Sequence, residues 1–150
     1  MPSEENKAIV RRFFEVFSEG NLEELDNLLA ADFGDHDAPA GLPPGPDGVR
    51  ALLIPYRAGF PDLDFTISDQ VAEGDRVATR WTMRATYRGE LFKIPPSGKE
   101  VSMEGISLYR IAEAKMKEAW VKRNDLGLMQ HLGVISEPGQ IMGGIKERGG

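Results

Sequence analysis

Apolar side chains at Ile9, Val10, Phe13, Phe14, Val16 and Phe17 are separated by one, three or four positions. That spacing lays them along one stripe of a helix over residues 5–19 and leaves Arg11, Arg12 and Glu15 largely outside it. Gly20 is placed to stop the helix. Asn21 followed by Glu24 then reads as a capping box that opens a second, short helix, its buried face made by Leu22, Leu25, Leu28 and Leu29. The two helices form a hairpin. Pro46 is suited to the first position of a third helix with Val49, Leu52, Leu53 and Tyr56 on its inner face. That helix ends near Gly59, with Pro55 breaking or bending its last turn.

Between Phe33 and Gly48 the chain is rich in Gly, Pro and Asp. Such a stretch sustains neither a helix nor a central strand, and a long loop in a compact domain is often a lid or a pocket rim. After Phe60-Pro61-Asp62 the apolar period switches towards two. Leu63, Phe65 and Ile67 alternate with polar residues, and Glu73-Gly74-Asp75 forms a turn. In the next strand Val77, Thr79, Trp81, Met83 and Tyr87 share one face, and Ala78, Arg80, Thr82, Arg84 and Thr86 share the other. A short apolar piece, Leu91-Phe92, and a loop at 95–99 lead to two further strands over 101–111 and 116–124. One or two helical turns follow over 126–132. Helices followed by a run of strands predict an α+β fold, with three N-terminal helices packed on one face of a strongly curved, mainly antiparallel sheet. The cone so formed has an apolar interior suited to a small, largely apolar ligand.

Composition narrows the function. The chain has 150 residues, a net charge of −6 and no cysteine. One domain over residues 1–134 is expected, followed by a Gly-rich tail over 135–150. An acidic surface without a basic run argues against nucleic acid as a partner. The absence of cysteine removes disulfides, thiolate metal sites and a cysteine nucleophile. His36 and His131 are the only histidines, too few for a multi-histidine metal centre. No apolar stretch approaches the roughly 18 residues of a membrane span, and the polar N-terminus lacks the pattern of a signal peptide. A cytoplasmic location is therefore expected.

Several short motifs recur in order: Gly45-Pro46-Asp47-Gly48, Phe60-Pro61-Asp62-Leu63, Glu73-Gly74-Asp75-Arg76-Val77-Ala78 and Ile94-Pro95-Pro96-Ser97-Gly98-Lys99. Tyr109-Arg110-Ile111 follows, then Trp120 and the segment from Asp125 to Gly133. Each is weak alone. As an ordered set over about residues 6–134 they resemble the SnoaL-like polyketide cyclases, also called ester cyclases. That resemblance implies the nuclear-transport-factor-2-like cone, intramolecular aldol closure of a ring in a polyketide ester, and no metal or organic cofactor. It also implies an Asp general base at the end of the last long strand, and Asp125 stands at the matching position.

Aldol closure requires loss of a proton from carbon flanked by carbonyls, then a proton for the developing alkoxide. One carboxyl can serve both steps if desolvation in an apolar cone raises its basicity above the ordinary Asp pKa of about 3.9. Ketosteroid isomerase, which uses an Asp base, offers a mechanistic analogy only. Asp125 has a structural alternative as the cap of the helix starting at Leu126. His36 resembles the His-Asp pair common in this family; it would share the proton with Asp125 or donate to a substrate carbonyl. Its alternative is a surface His balanced by Asp35 and Asp37. Three adjacent residues rarely converge on one ion, so no metal site is expected.

Arg80 and Trp81 lie on opposite strand faces. An inward Arg80 would stabilise an enolate, whereas an inward Trp81 would stack on an aromatic ligand. Phe60, Met103, Tyr109, Trp120 and Tyr56 are the further candidates for the pocket lining, with core packing as their alternative. His131 stands where many relatives carry Gln and receives no role. No phosphate-binding loop, nucleophile elbow or glycosidase acid pair is present. Two other functions compete with the cyclase. One is addition or removal of water through acids bridged by an Arg, drawing on Arg80 and Asp125. The other is a non-catalytic binding module of the same fold. A homodimer through the outer sheet face, around Thr82, Arg84 and Thr86, is expected in either case.

Overall fold

The first helix, α1 (Pro2–Glu19), buries Val10, Phe13, Phe14 and Val16, the stripe that its periodicity requires. The computed structural model of the chain describes residues 2–89 and 95–132. The expectations for Leu91-Phe92 and for the 135–150 tail lie outside these residues. Gly20 closes α1 with φ of +75° and its N–H bonded to the Val16 carbonyl at 2.8 Å. The capping box at Asn21 does not form. Arg12 engages the carboxylates of Glu15, Glu19 and Glu24 together, which draws Glu24 away from the backbone it would cap. The Asn21 amide donates to Glu24 instead (3.3 Å), and the segment opens as a 3-10 turn, Leu22–Glu24. A single α-helical turn follows, α2 (Leu25–Leu28).

A strand, β1 (Leu29–Asp35), replaces the expected end of the second helix and the start of the loop. It buries Leu29, Ala30 and Phe33 and pairs in parallel with β5 (Lys115–Arg123), Gly34 opposite Glu118 and Asp35 opposite Ala119. Burial against the sheet edge overrides a weak local signal here. The remaining strands are β2 (Asp64–Glu73), β3 (Arg76–Thr86) and β4 (Glu100–Ala112). The sheet order is β1-β5-β4-β3-β2, antiparallel except at the β1 edge. Irregular register between Ile67 and Asp69 and between Arg110 and Ile111 adds local bend and twist.

Along β3, Val77, Thr79, Trp81, Met83 and Ala85 are buried, while the exposed Arg80 and Arg84 share the other face. The helix α3 (Pro46–Gly59) turns Val49, Leu52, Leu53 and Tyr56 towards the concave sheet face. Its entry depends on Gly45. With φ of +77°, a Cβ there would sit 2.4 Å from the Ala31 carbonyl oxygen, while the Gly45 N–H bonds Phe33 O at 2.8 Å. Pro55 does not break the helix, which continues to Gly59. Pro55 and Ala51, whose carbonyl loses its helical donor, are both exposed, so that carbonyl is open to solvent and the lost bond costs little. After β5, Asn124 caps α4 (Asp125–His131) by accepting from the Gly127 N–H at 2.8 Å. Asn124, not Asp125, is thus the cap. Among the described residues no helix is long and apolar enough to cross a membrane.

Candidate active site

Alternation along β4 and β5 aims Met103, Ser107 and Tyr109, then Ala119, Val121 and Arg123, at the space between the sheet and helices α1 and α3. Phe13, Phe14 and Phe17 close it from α1, and Tyr56 from α3. The result is a cavity with mostly apolar walls. Among the described residues its charged lining consists of Asp35 and Arg123.

Asp35 ends β1 two residues after Phe33, so a two-residue period puts both side chains on the cavity side. Burial pushes its carboxyl above the ordinary Asp range; the Asp37 N–H, bonded to Oδ1 at 2.9 Å, and the positive charge of Arg123 pull partly the other way. On β4 the Trp81 indole N–H donates to the Ser107 hydroxyl at 2.9 Å, and Ser107 is also bonded to the Tyr109 side chain. Burial drives the Tyr109 phenol upward, and it remains neutral at ordinary pH. Tyr56 is likewise raised, first by burial, with Arg123 and Asp125 acting on it in opposite directions.

The three consecutive residues Asp35, His36 and Asp37 diverge. The His36 imidazole lies on the far side of the sheet, with Nε2 2.7 Å from Glu118 Oε2 and the ring stacked on Trp120. Asp37 turns back onto β5, accepting from the Lys122 ammonium at 2.7 Å and the Val121 N–H at 2.8 Å. Those bonds, that from Lys122 foremost, hold its carboxyl below the usual range.

The other sequence candidates divide in the same way. Trp81, Met103, Tyr109 and Tyr56 line the cavity. Phe60 is wholly buried between Tyr56 and Tyr87, its ring centroid 6.0 and 5.4 Å from theirs, beyond the cavity wall. Arg80 lies on the outer face, with Nε and Nη2 2.8 and 2.6 Å from Asp69 Oδ2. Trp120 is also on that face, under the Arg76 guanidinium at 5.5 Å. Asp125 is the first residue of α4, with a side chain 59% exposed and Oδ1 3.6 Å from Arg123 Nε. It stands beside the cavity-lining Arg123 without itself joining the wall.

Sequence reasoning did not select Asp35 or Arg123 as lining residues. The signal for both was present as a two-residue period: Phe33 to Asp35 on β1, and Ala119 through Val121 to Arg123 on β5.

A sheet packed over helices around such a cavity is an α+β architecture suited to a small-molecule ligand. The SnoaL-like polyketide cyclase profile matches residues 7–132, and the chain belongs to that family. TsrD from Streptomyces laurentii superposes with a TM-score of 0.81 at 26% identity, over 88% of this chain and 97% of its own. A protein from Acidithiobacillus ferrooxidans described as a candidate polyketide cyclase gives 0.77 at 30% identity, over 86% and 94%. AclR from Streptomyces galilaeus, described as a candidate hydroxylase, gives 0.81 at 24% identity over 98% and 93%, a likeness of fold. No curated protein sequence matches the chain significantly.

Proposed function

We propose that this protein is a cofactor-independent cyclase that closes a ring in a polyketide-like ester by intramolecular aldol condensation. The supporting observation is a carboxyl and a guanidinium, Asp35 and Arg123, set in an otherwise largely apolar cavity with Asp125 paired to Arg123 beside it. A base removes the proton from carbon flanked by carbonyls, and the enolate carbon attacks a ketone carbon within the same molecule. The resulting alkoxide then takes a proton. Arg123 is placed to stabilise the negative charge as it moves from enolate to alkoxide, where low polarity strengthens the interaction. Trp81 and Tyr109 offer aromatic walls against which a planar ligand stacks, with Met103 and Tyr56 completing its surroundings.

The family resemblance gives the general acid/base role to Asp125, and its pairing with Arg123 keeps that carboxylate near a ligand that protrudes from the cavity. The His36 imidazole, held by Glu118 and Trp120 on the face away from the cavity, takes no part in proton transfer in this reading; its backbone N–H, bonded to Ala119 O at 2.9 Å, ties β1 to β5. The test is incubation in heavy water with activated methyl esters, an anthraquinone-type acetate ester among them. Exchange at the carbon next to the ester carbonyl is expected for the native protein and diminished for Asp125→Asn. Absence of exchange in the native protein counts against carbon-acid chemistry and in favour of a binding module.

The assembly we propose is a homodimer through the outer sheet face. Thr82 and Thr86 are half-buried there and Arg84 is exposed, with Ile106, 55% exposed, as an apolar anchor on β4. Light scattering at the mass of one chain would refute it.

A further inference from the structure

We infer that Asp35 is a catalytic residue of this site, the group that takes the proton from the substrate carbon inside the cavity and returns it to the alkoxide. The inference rests on the carbon-acid reading above and moves its proton-transfer step from Asp125 to the interior.

Five observations converge on Asp35. It is the one carboxyl in the cavity wall among the described residues, whereas Asp125 is largely exposed on the first turn of α4. One bond orients its side chain and another holds the backbone beside it. Oδ1 accepts the Asp37 N–H at 2.9 Å, and the next backbone N–H, that of His36, is bonded to Ala119 O. The neighbouring acids are already committed: Asp37 to Val121 and Lys122, and Glu118 to His36 and Arg110. No bond to Asp35 Oδ2 is made among the described residues, so this oxygen can meet a ligand proton. Finally, the cavity places Arg123 where its charge acts on Asp35. A cation that stabilises a carboxylate will equally stabilise the enolate that forms as the carboxylate is protonated.

The step balances without a co-reactant. The Asp35 carboxylate takes the carbon-bound proton, and the C–H electron pair becomes the enolate. The enolate carbon forms the new C–C bond as the ketone C=O π bond breaks. The alkoxide oxygen then takes the proton back from the Asp35 carboxyl. A half-buried carboxyl whose basicity is raised by desolvation suits both transfers better than a fully solvated one. The charged and titratable groups that act on it are Arg123, Asp37 and His36, with Tyr109 on the facing strand.

The experiment measures deuterium incorporation into methyl anthraquinone-2-acetate by the native protein, Asp35→Asn, Asp35→Glu and Asp125→Asn, together with ester binding by tryptophan quenching. Asp35→Asn is expected to bind the ester and to lose exchange by about 100-fold or more, the scale of general acid/base catalysis. Asp35→Glu is expected to recover part of that loss. Native-level exchange by Asp35→Asn overturns the inference and leaves the carbon-acid reading standing. Loss of exchange together with loss of binding also overturns it, because Asp35 would then be a ligand-holding group. A native protein that binds the ester yet exchanges nothing overturns the reading and the inference with it.

Discussion

The His36 imidazole lies nearly parallel to the Trp120 indole, ring centroids 4.8 Å apart and planes 13° from coplanar orientation, on the face of the sheet away from the cavity. Trp120 carries the Arg76 guanidinium within 5.5 Å, and Glu118 bridges His36 at 2.7 Å and Arg110 at 2.6 Å. The strand end that presents Asp35 inward is therefore clamped from outside by the adjacent residue.

Replacing His36 by Ala should loosen that clamp and lower the melting temperature at neutral pH. His36 is the larger of two influences, with Arg110, that hold the Glu118 carboxyl below its usual range. A carboxyl with a depressed folded-state pKa contributes stability above its unfolded value and loses it as pH falls through the folded one. Melting curves of native protein and His36→Ala should thus separate at pH 7 and converge in acid. Equal melting temperatures at both pH values would mean that the clamp contributes nothing.

How much of this was legible beforehand depended on the regularity of each element's apolar pattern. The stripe of α1 and the alternation of β3 are long and clean, so spacing alone puts Phe13 and Phe14 on the buried stripe and Trp81 and Met83 on one shared strand face. β1 was not legible. Leu28-Leu29-Ala30-Ala31 carries no strand period, and only pairing with β5, some 85 residues away, makes it a strand. Arg80 and Trp81 show the complementary case: alternation guaranteed opposite faces but did not say which face was inside. Packing against Phe14 and Phe65 decides that in favour of Trp81, with centroids 6.2 and 5.3 Å away. The cap offered as the structural alternative for Asp125 falls instead to Asn124 beside it, an equally good capping residue.

Gly105 is a second constraint on Trp81. The two are cross-strand partners, and a Cβ on residue 105 would lie 2.3 Å from the indole Cζ2. Gly105→Ala must push the ring off its Ser107 bond or move the strand. A loss of about 1–3 kcal/mol is expected from overpacking, read by urea unfolding, together with a shifted tryptophan emission. An unchanged midpoint would show that the ring has room the structure does not reveal.

The β4–β5 hairpin stores strain that one substitution should relieve. Glu113 and Ala114 both have positive φ, 55° and 60°, a conformation costing roughly 1–2 kcal/mol for residues with a Cβ and favouring Asn-Gly in such turns. Ala114→Gly should stabilise the protein by about 0.5–1 kcal/mol after allowing for the greater freedom of glycine in the unfolded chain. Denaturant titration checks this, and destabilisation would argue that the turn is held by more than its own torsions.

Asp35 makes a stability prediction of opposite sign to His36, and it needs no substrate. Its carboxyl is raised above the ordinary range chiefly by burial, so the folded state holds that proton more tightly than the unfolded chain does. Stability linked to this group is intact below the unfolded pKa and falls as pH rises through the folded one. Asparagine keeps the shape and can still accept the Asp37 N–H, but it never ionises. Asp35→Asn should therefore melt above the native protein at pH 7, with the gap closing as pH drops below the ordinary carboxylate range. A variant that melts lower at pH 7 would mean that the carboxylate is stabilised in place, by Arg123 or by other partners, more than burial penalises it. A higher melting temperature for Asp35→Asn at pH 7 would show a carboxyl that costs stability in the cavity wall, the signature expected of a group held for chemistry rather than for packing.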